Sequence, residues 1–103
     1  YARGLGVPRN YRSAFKWYKK AAQAGVTAAQ LNMARLLASG RGVKRNPLEA
    51  YAWFNIASGL GDTQASLERD AIAKNLSRAD LRKAQRLSKD LWAKYVEPRP
   101  SKG

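Results

Sequence analysis

Apolar residues recur along this chain at three- and four-residue intervals, the spacing of one helix face. Ala14, Trp17, Tyr18 and Ala21 fall at i, i+3, i+4 and i+7, and Ala50, Trp53, Phe54 and Ala57 repeat the pattern. Ala29, Met33, Ala34 and Leu37 make another apolar face. Leu81, Ala84, Leu87 with Ser88, Leu91 and Tyr95 make a further one. Start and stop signals bracket these faces. Asn10 predicts a cap for a helix over 10–24, and a second helix covers 27–39. Asn46, Pro47 and Glu49 supply a cap, a first-position proline and the third-position acid of a helix over 47–58. Gly61 ends that helix, and Thr63 can help start the next one. A helix over 62–75 follows, and Ser77-Arg78-Ala79-Asp80 reads as a capping box opening a long helix over 77–96. Pro98 and Pro100 stop any continuation, so 97–103 is expected to be a flexible tail.

The two similar helix faces belong to a longer repeat. Residues 1–36 and 37–72 share 13 identical positions of 36, among them Gly4/Gly40, Gly6/Gly42, Asn10/Asn46, Ala14/Ala50, Trp17/Trp53, Ala21/Ala57 and Gly25/Gly61. A fixed period of this size marks an array in which each unit is one supersecondary element. The glycines at 40 and 42 permit a tight turn with positive φ. Small alanine beside large tryptophan suits close helix packing, so Trp17 and Trp53 are both expected in the core, one repeat apart. Later the repeat decays: Arg69 and Asp70 stand where Met33 and Ala34 stood, and the glycine loop does not return.

The motif Gly40-x-Gly42-Val43, then Ala50-x-x-Trp53-Phe54-x-x-Ala57-x-x-x-Gly61, resembles the Sel-1-like repeat, a relative of the tetratricopeptide repeat. The first copy reads Ala14-x-x-Trp17-Tyr18-x-x-Ala21-Ala22-x-x-Gly25. Met33, Ala34 and Leu37 replace the Leu, Gly and Tyr usual in the family's first helix. The resemblance covers roughly residues 1–76. It implies an all-α fold: an α-α solenoid of about two Sel-1-like repeats with a C-terminal capping helix pair. The expected organisation is a repeat array over 1–76, a capping helix over 77–96 and the tail. Tyr1 aligns with Leu37, late in a first helix, so the first repeat is read as truncated at its N-terminus. The same resemblance implies a scaffold for protein–protein contacts and favours a bacterial envelope, periplasmic or secreted setting.

Charge then narrows the partners. The 103 residues carry a net charge of +13, and residues 1–48 hold ten Lys and Arg with no carboxylate before Glu49. Such a surface attracts anions: acidic protein patches, nucleic acid, or anionic lipid or polymer. Arg12, Lys16 and Lys20 form a stripe on the first helix that is read as a solvated face.

Catalytic chemistry finds little support. With no histidine and no cysteine, zinc ligation by those residues and Ser-His or Cys-His catalysis are excluded, as are disulfides. Seven carboxylates are scattered without metal-binding spacing, so neither metal nor cofactor is expected. Ser13-Ala14-Phe15-Lys16 matches S-x-x-K, but the S-D-N and K-T-G elements that accompany that nucleophile are missing. The G-x-G turns make neither G-x-G-x-x-G nor G-x-x-x-x-G-K-[ST]. The chain is therefore read as non-enzymatic.

What remains is surface. In tetratricopeptide-like arrays the first helix of each pair lines the concave groove. The inner positions here are Leu31, Asn32, Arg35 and Ser39, then Gln64, Leu67, Glu68 and Ala71. They suit a peptide or an acidic protein surface, with Asn32 facing backbone and Arg35 a carboxylate. The alternative is an anionic polymer, nucleic acid or envelope polysaccharide, on a basic loop edge of Arg3, Arg9, Arg41, Lys44 and Arg45. Nucleic acid is disfavoured, because most aromatics fall on packing positions rather than between exposed cations.

Overall fold

The computed structural model describes residues 7–96, with side chains from Tyr11 onward. It contains α1 (Val7–Gln23), α2 (Thr27–Ser39), α3 (Pro47–Gly59), α4 (Thr63–Ala73) and α5 (Arg78–Leu91). A π-helical turn, Trp92–Val96, continues α5. No strand occurs among the described residues. The expected tail and the cations Arg3 and Arg9 lie outside the described residues or side chains.

Local chemistry sets the helix starts. The Asn46 side chain accepts the Glu49 N–H at 3.1 Å, with Pro47 in the first turn. Ser77 accepts the Asp80 N–H at 3.0 Å, completing the expected cap of α5. Two expectations need correction. Helix α1 begins at Val7, so Asn10 lies inside the helix rather than at its cap. Pro8 stands where the second copy has Lys44, and its ring fixes a helical φ in the first turn. Thr63 is the first residue of α4 rather than its cap. Asp62 precedes α4 and accepts the Ala65 N–H at 2.9 Å, while Val26 precedes α2 without a side-chain cap.

Helix α3 is the centre of the molecule. Ala50, Tyr51, Ala52, Trp53, Phe54, Ile56 and Ala57 are all buried, so α3 is apolar on nearly every side, as a fully surrounded helix must be. It packs against α2, α4 and α5. Met33, Ala34 and Leu37 of α2 join Trp53, Phe54 and Ala57 in one core cluster. The turn after α5 closes that cluster: the Tyr95 and Trp53 rings lie 5.8 Å apart, centroid to centroid. Trp92 lies over Gly59, where a methyl group would come within 2.7 Å of the ring.

Trp17 is not in the core. It is 74% exposed, against 2% for Trp53. The repeat makes the two positions equivalent in sequence but not in surroundings. Among the described residues, α1 packs chiefly on α2, whereas α3 has a helix on three sides. Lys16 and Lys20 are exposed where α3 carries buried Ala52 and Ile56.

Where the repeat decays, polar contacts take over. Arg69 donates to the Asn55 side-chain Oδ1 at 2.9 Å, and the Asn55 side-chain amide donates to Ser88 Oγ at 2.7 Å, tying α3, α4 and α5 together. Ser58 and Ser66 share a hydroxyl hydrogen bond between α3 and α4. Their counterparts one repeat earlier are Ala22 and Gln30, and there the Gln30 amide donates to the Ala22 carbonyl at 3.3 Å. Both crossings therefore carry a polar clasp at the same register.

Candidate functional site

The inner positions of α2 and α4 meet through an ion pair. Arg35 donates from Nε and Nη2 to the Glu68 carboxylate at 2.5–3.1 Å. This hydrogen bonding raises the Arg35 pKa against the opposing effect of burial, so the guanidinium stays charged. The pair is partly open to solvent, at 44% and 27% side-chain exposure, which limits such a bridge to about 0–1 kcal/mol. Leu67 beside it is 65% exposed, and Leu31 is half-buried against the core. Gln64 and Ala71 are exposed. Asn32 donates to the Ala28 carbonyl at 3.0 Å, and Ser39 to the Arg35 carbonyl at 2.9 Å. The structure thus joins Arg35 and Glu68 directly and engages Asn32 and Ser39 within their own helix.

The loop edge is built differently. Arg41 lies over the Tyr11 ring, 5.3 Å from its centroid, and donates to the Tyr11 hydroxyl at 3.1 Å. Arg45 is exposed and donates to the Ala38 carbonyl at 3.2 Å. Lys44 is exposed. Arg41 and Lys44 border an open depression with Tyr11 and Arg12. Arg45 instead borders a cleft with Leu48, Ile72 and Asp80. The expected row of loop cations therefore faces two separate places.

A third place is a furrow between α1 and α2, lined by Ala14, Trp17, Ala21, Val26, Ala28 and Asn32 among others. Val26 is 48% exposed, so two large apolar side chains stand open on one apolar depression.

The model for the Sel1 repeat matches residues 1–26 and 27–62. This chain belongs to the Sel1 repeat family. The second matched unit opens at Thr27, the first residue of α2, so its helix pair is α2 and α3. The fold is similar to a crystal structure of a protective antigen present in uropathogenic Escherichia coli strains and displaying an SLR fold. The TM-score is 0.78 and the identity 28%, over 90% of this chain and 22% of that one. The chain thus spans about a fifth of that relative's length. None of the curated proteins matches it. Sel1 repeats are generally protein-interaction scaffolds. No helix among the described residues is long and apolar enough to cross a membrane.

Reading the sequence for motifs missed the furrow, because the Sel1 signature assigns its tryptophan to the core. A signal existed in the differences between the two units. Lys16 replaces Ala52 and Lys20 replaces Ile56, so the first unit carries charge where the second is apolar. A helix with lysines at those positions is not enclosed as α3 is.

Proposed function

We propose that this Sel1 chain is a non-enzymatic scaffold that binds a protein or peptide segment across the inner positions of α2 and α4. The observation that supports this most is the exposed Leu67 beside the Arg35–Glu68 pair. Leu67 and Leu31 offer apolar contact, and the pair offers a cation held in place by an exchangeable partner. An acidic segment gains a bidentate contact with Arg35 by displacing Glu68. Exposure makes that exchange inexpensive.

An acidic, leucine-bearing peptide tests the reading. Arg35→Glu is expected to weaken its binding about tenfold or more, by removing the cation and adding a second acid. Glu68→Gln is expected to strengthen binding, because Arg35 is then free. Neutralising Arg41 and Lys44 should mainly slow association. If an anionic polymer on the loop edge is the true ligand, affinity falls steeply with salt and each loop cation contributes a similar step. A steep salt slope together with a normally binding Arg35→Glu protein sinks the proposal.

The chain is also expected to be inert at Ser13. Ser13 and Lys16 are both exposed on α1, and the partner motifs of S-x-x-K chemistry are absent. Incubation with a β-lactam should leave the intact mass unchanged; a covalent adduct on Ser13 would show that the non-enzymatic reading is wrong.

A further inference from the structure

The depression beside Tyr11 and the cleft beside Arg45 are the same place in two successive units. Under the 36-residue offset, Tyr11, Arg12, Gly40 and Lys44 of the depression become Pro47, Leu48, Leu76 and Asp80 of the cleft. The cleft has its full set of neighbours, with walls from α2, α3, α4 and the start of α5, and it is still open. Openness at this register therefore belongs to the junction itself and not to the lack of a packing helix.

The two versions differ in chemistry. The cleft is mixed, with Leu48 and Leu76 beside Arg45 and Asp80. The depression gathers Arg12, Arg41 and Lys44, all exposed, around Tyr11 and the glycine turn. It has no carboxylate among its described lining residues, and the first 48 residues of the chain contain none. The repeat does not need these cations to fold, since the second unit carries Leu48 and Asp80 in place of Arg12 and Lys44. Three like charges in one hollow repel one another, and a bound anion relieves that repulsion. The hollow is also preshaped. Gly42 sits so close to the start of α1 that a methyl group there would lie 2.7 Å from the Arg12 nitrogen, and this contact sets the loop cations beside Arg12. Arg41 is held over the Tyr11 ring and donates from Nη1 to the Tyr11 hydroxyl at 3.1 Å. That bond takes one of its five N–H donors, and the hydroxyl keeps its own proton to donate.

We propose that this hollow binds a phosphorylated side chain on a segment of a partner protein. A phosphate monoester carries about −1.5 to −2 charges at pH 7 and three acceptor oxygens, which match two guanidinium groups, an ammonium and a phenol. A carboxylate brings one charge and two oxygens and leaves cations unpaired. Nucleic acid fits less well. Arg41 already covers a face of the Tyr11 ring, so a base cannot stack there, and one unit further along Asp80 stands where a polyanion would need another cation. An anionic membrane gains no apolar hold, because none of the exposed large apolar side chains borders the hollow. The hollow shares no residue with the α2/α4 site, so either reading can fail without the other.

The test uses the full chain and a short labelled peptide made with phosphoserine, serine or glutamate at its centre. Fluorescence anisotropy should show the phosphoserine form binding about tenfold or more tightly than the other two, and inorganic phosphate should displace it. The double variant R12L/K44D gives the hollow the second unit's residues at those positions. It should lower the affinity about tenfold or more while circular dichroism melting stays unchanged, because both side chains are exposed. Arg35→Glu should leave this binding unaltered, which separates it from the α2/α4 site. A single dianion should also give a shallower salt dependence than a polymer. The proposal is overturned by no binding of any form, by equal binding of the phosphoserine and serine forms, or by undiminished binding to R12L/K44D. It is overturned equally if a single-stranded oligonucleotide or phosphatidylserine vesicles bind more tightly than the phosphopeptide and lose that binding in R12L/K44D.

Discussion

Trp53→Ala is expected to cost about 3–5 kcal/mol, while Trp17→Ala costs within about 0.5 kcal/mol. The two residues have the same identity, the same position in their repeat and the same helical neighbours Ala14/Ala50 and Ala21/Ala57. They differ only in what surrounds them. Trp53 is 2% exposed, packs near Tyr95 and donates from Nε1 to Glu49 at 3.4 Å. Truncation removes a large buried side chain and leaves a cavity between α2, α3 and the terminal turn. These surroundings are themselves packed, so they collapse only partly into the space. For a domain with a total stability of about 5–15 kcal/mol, such a loss brings unfolding close to ambient conditions. Chemical denaturation of both variants measures the difference. A loss below about 1 kcal/mol for Trp53→Ala would show that the core does not centre on α3.

The same pair shows how far the sequence could be read. The helices, their order and the Asn46 and Ser77 caps were legible, because each depends on residues within a few positions of one another. Met33, Ala34 and Leu37 were legible as packing residues, since a helix of that periodicity must bury one face. Trp17 was not legible from its own motif. Its burial depends on a neighbour that helical spacing does not specify, and only Lys16 and Lys20 hinted at an open side. The inner positions illustrate a second limit. Arg35 and Glu68 were both assigned to the groove, but spacing along two separate helices could not reveal that they bond to each other. That pairing changes the chemistry an acidic partner must perform, from simple attraction to exchange.

The loop before α3 leads to the other large effect. Gly42→Ala is expected to cost about 2–4 kcal/mol, well above Gly61→Ala at about 1 kcal/mol. Both glycines hold a positive φ, +74° and +106°, so both substitutions strain the backbone. They differ in available space. A methyl group at Gly61 meets nothing within 4 Å. At Gly42 it runs into the Tyr11 carbonyl group and lies 2.7 Å from the Arg12 nitrogen. These are backbone atoms of α1, which cannot rotate aside as a side chain would. Helix α1 must withdraw from the loop, and the Arg41 contact with the Tyr11 ring and hydroxyl goes with it. Among the described residues, the main helix contact of α1 is with α2. The loss should therefore appear first in α1, as faster amide exchange there than in α3, and then in the global denaturation midpoint. Equal losses for Gly42→Ala and Gly61→Ala would mean that positive φ is the whole effect. In that case the close approach of the loop to Tyr11 contributes nothing to holding the first unit on the second.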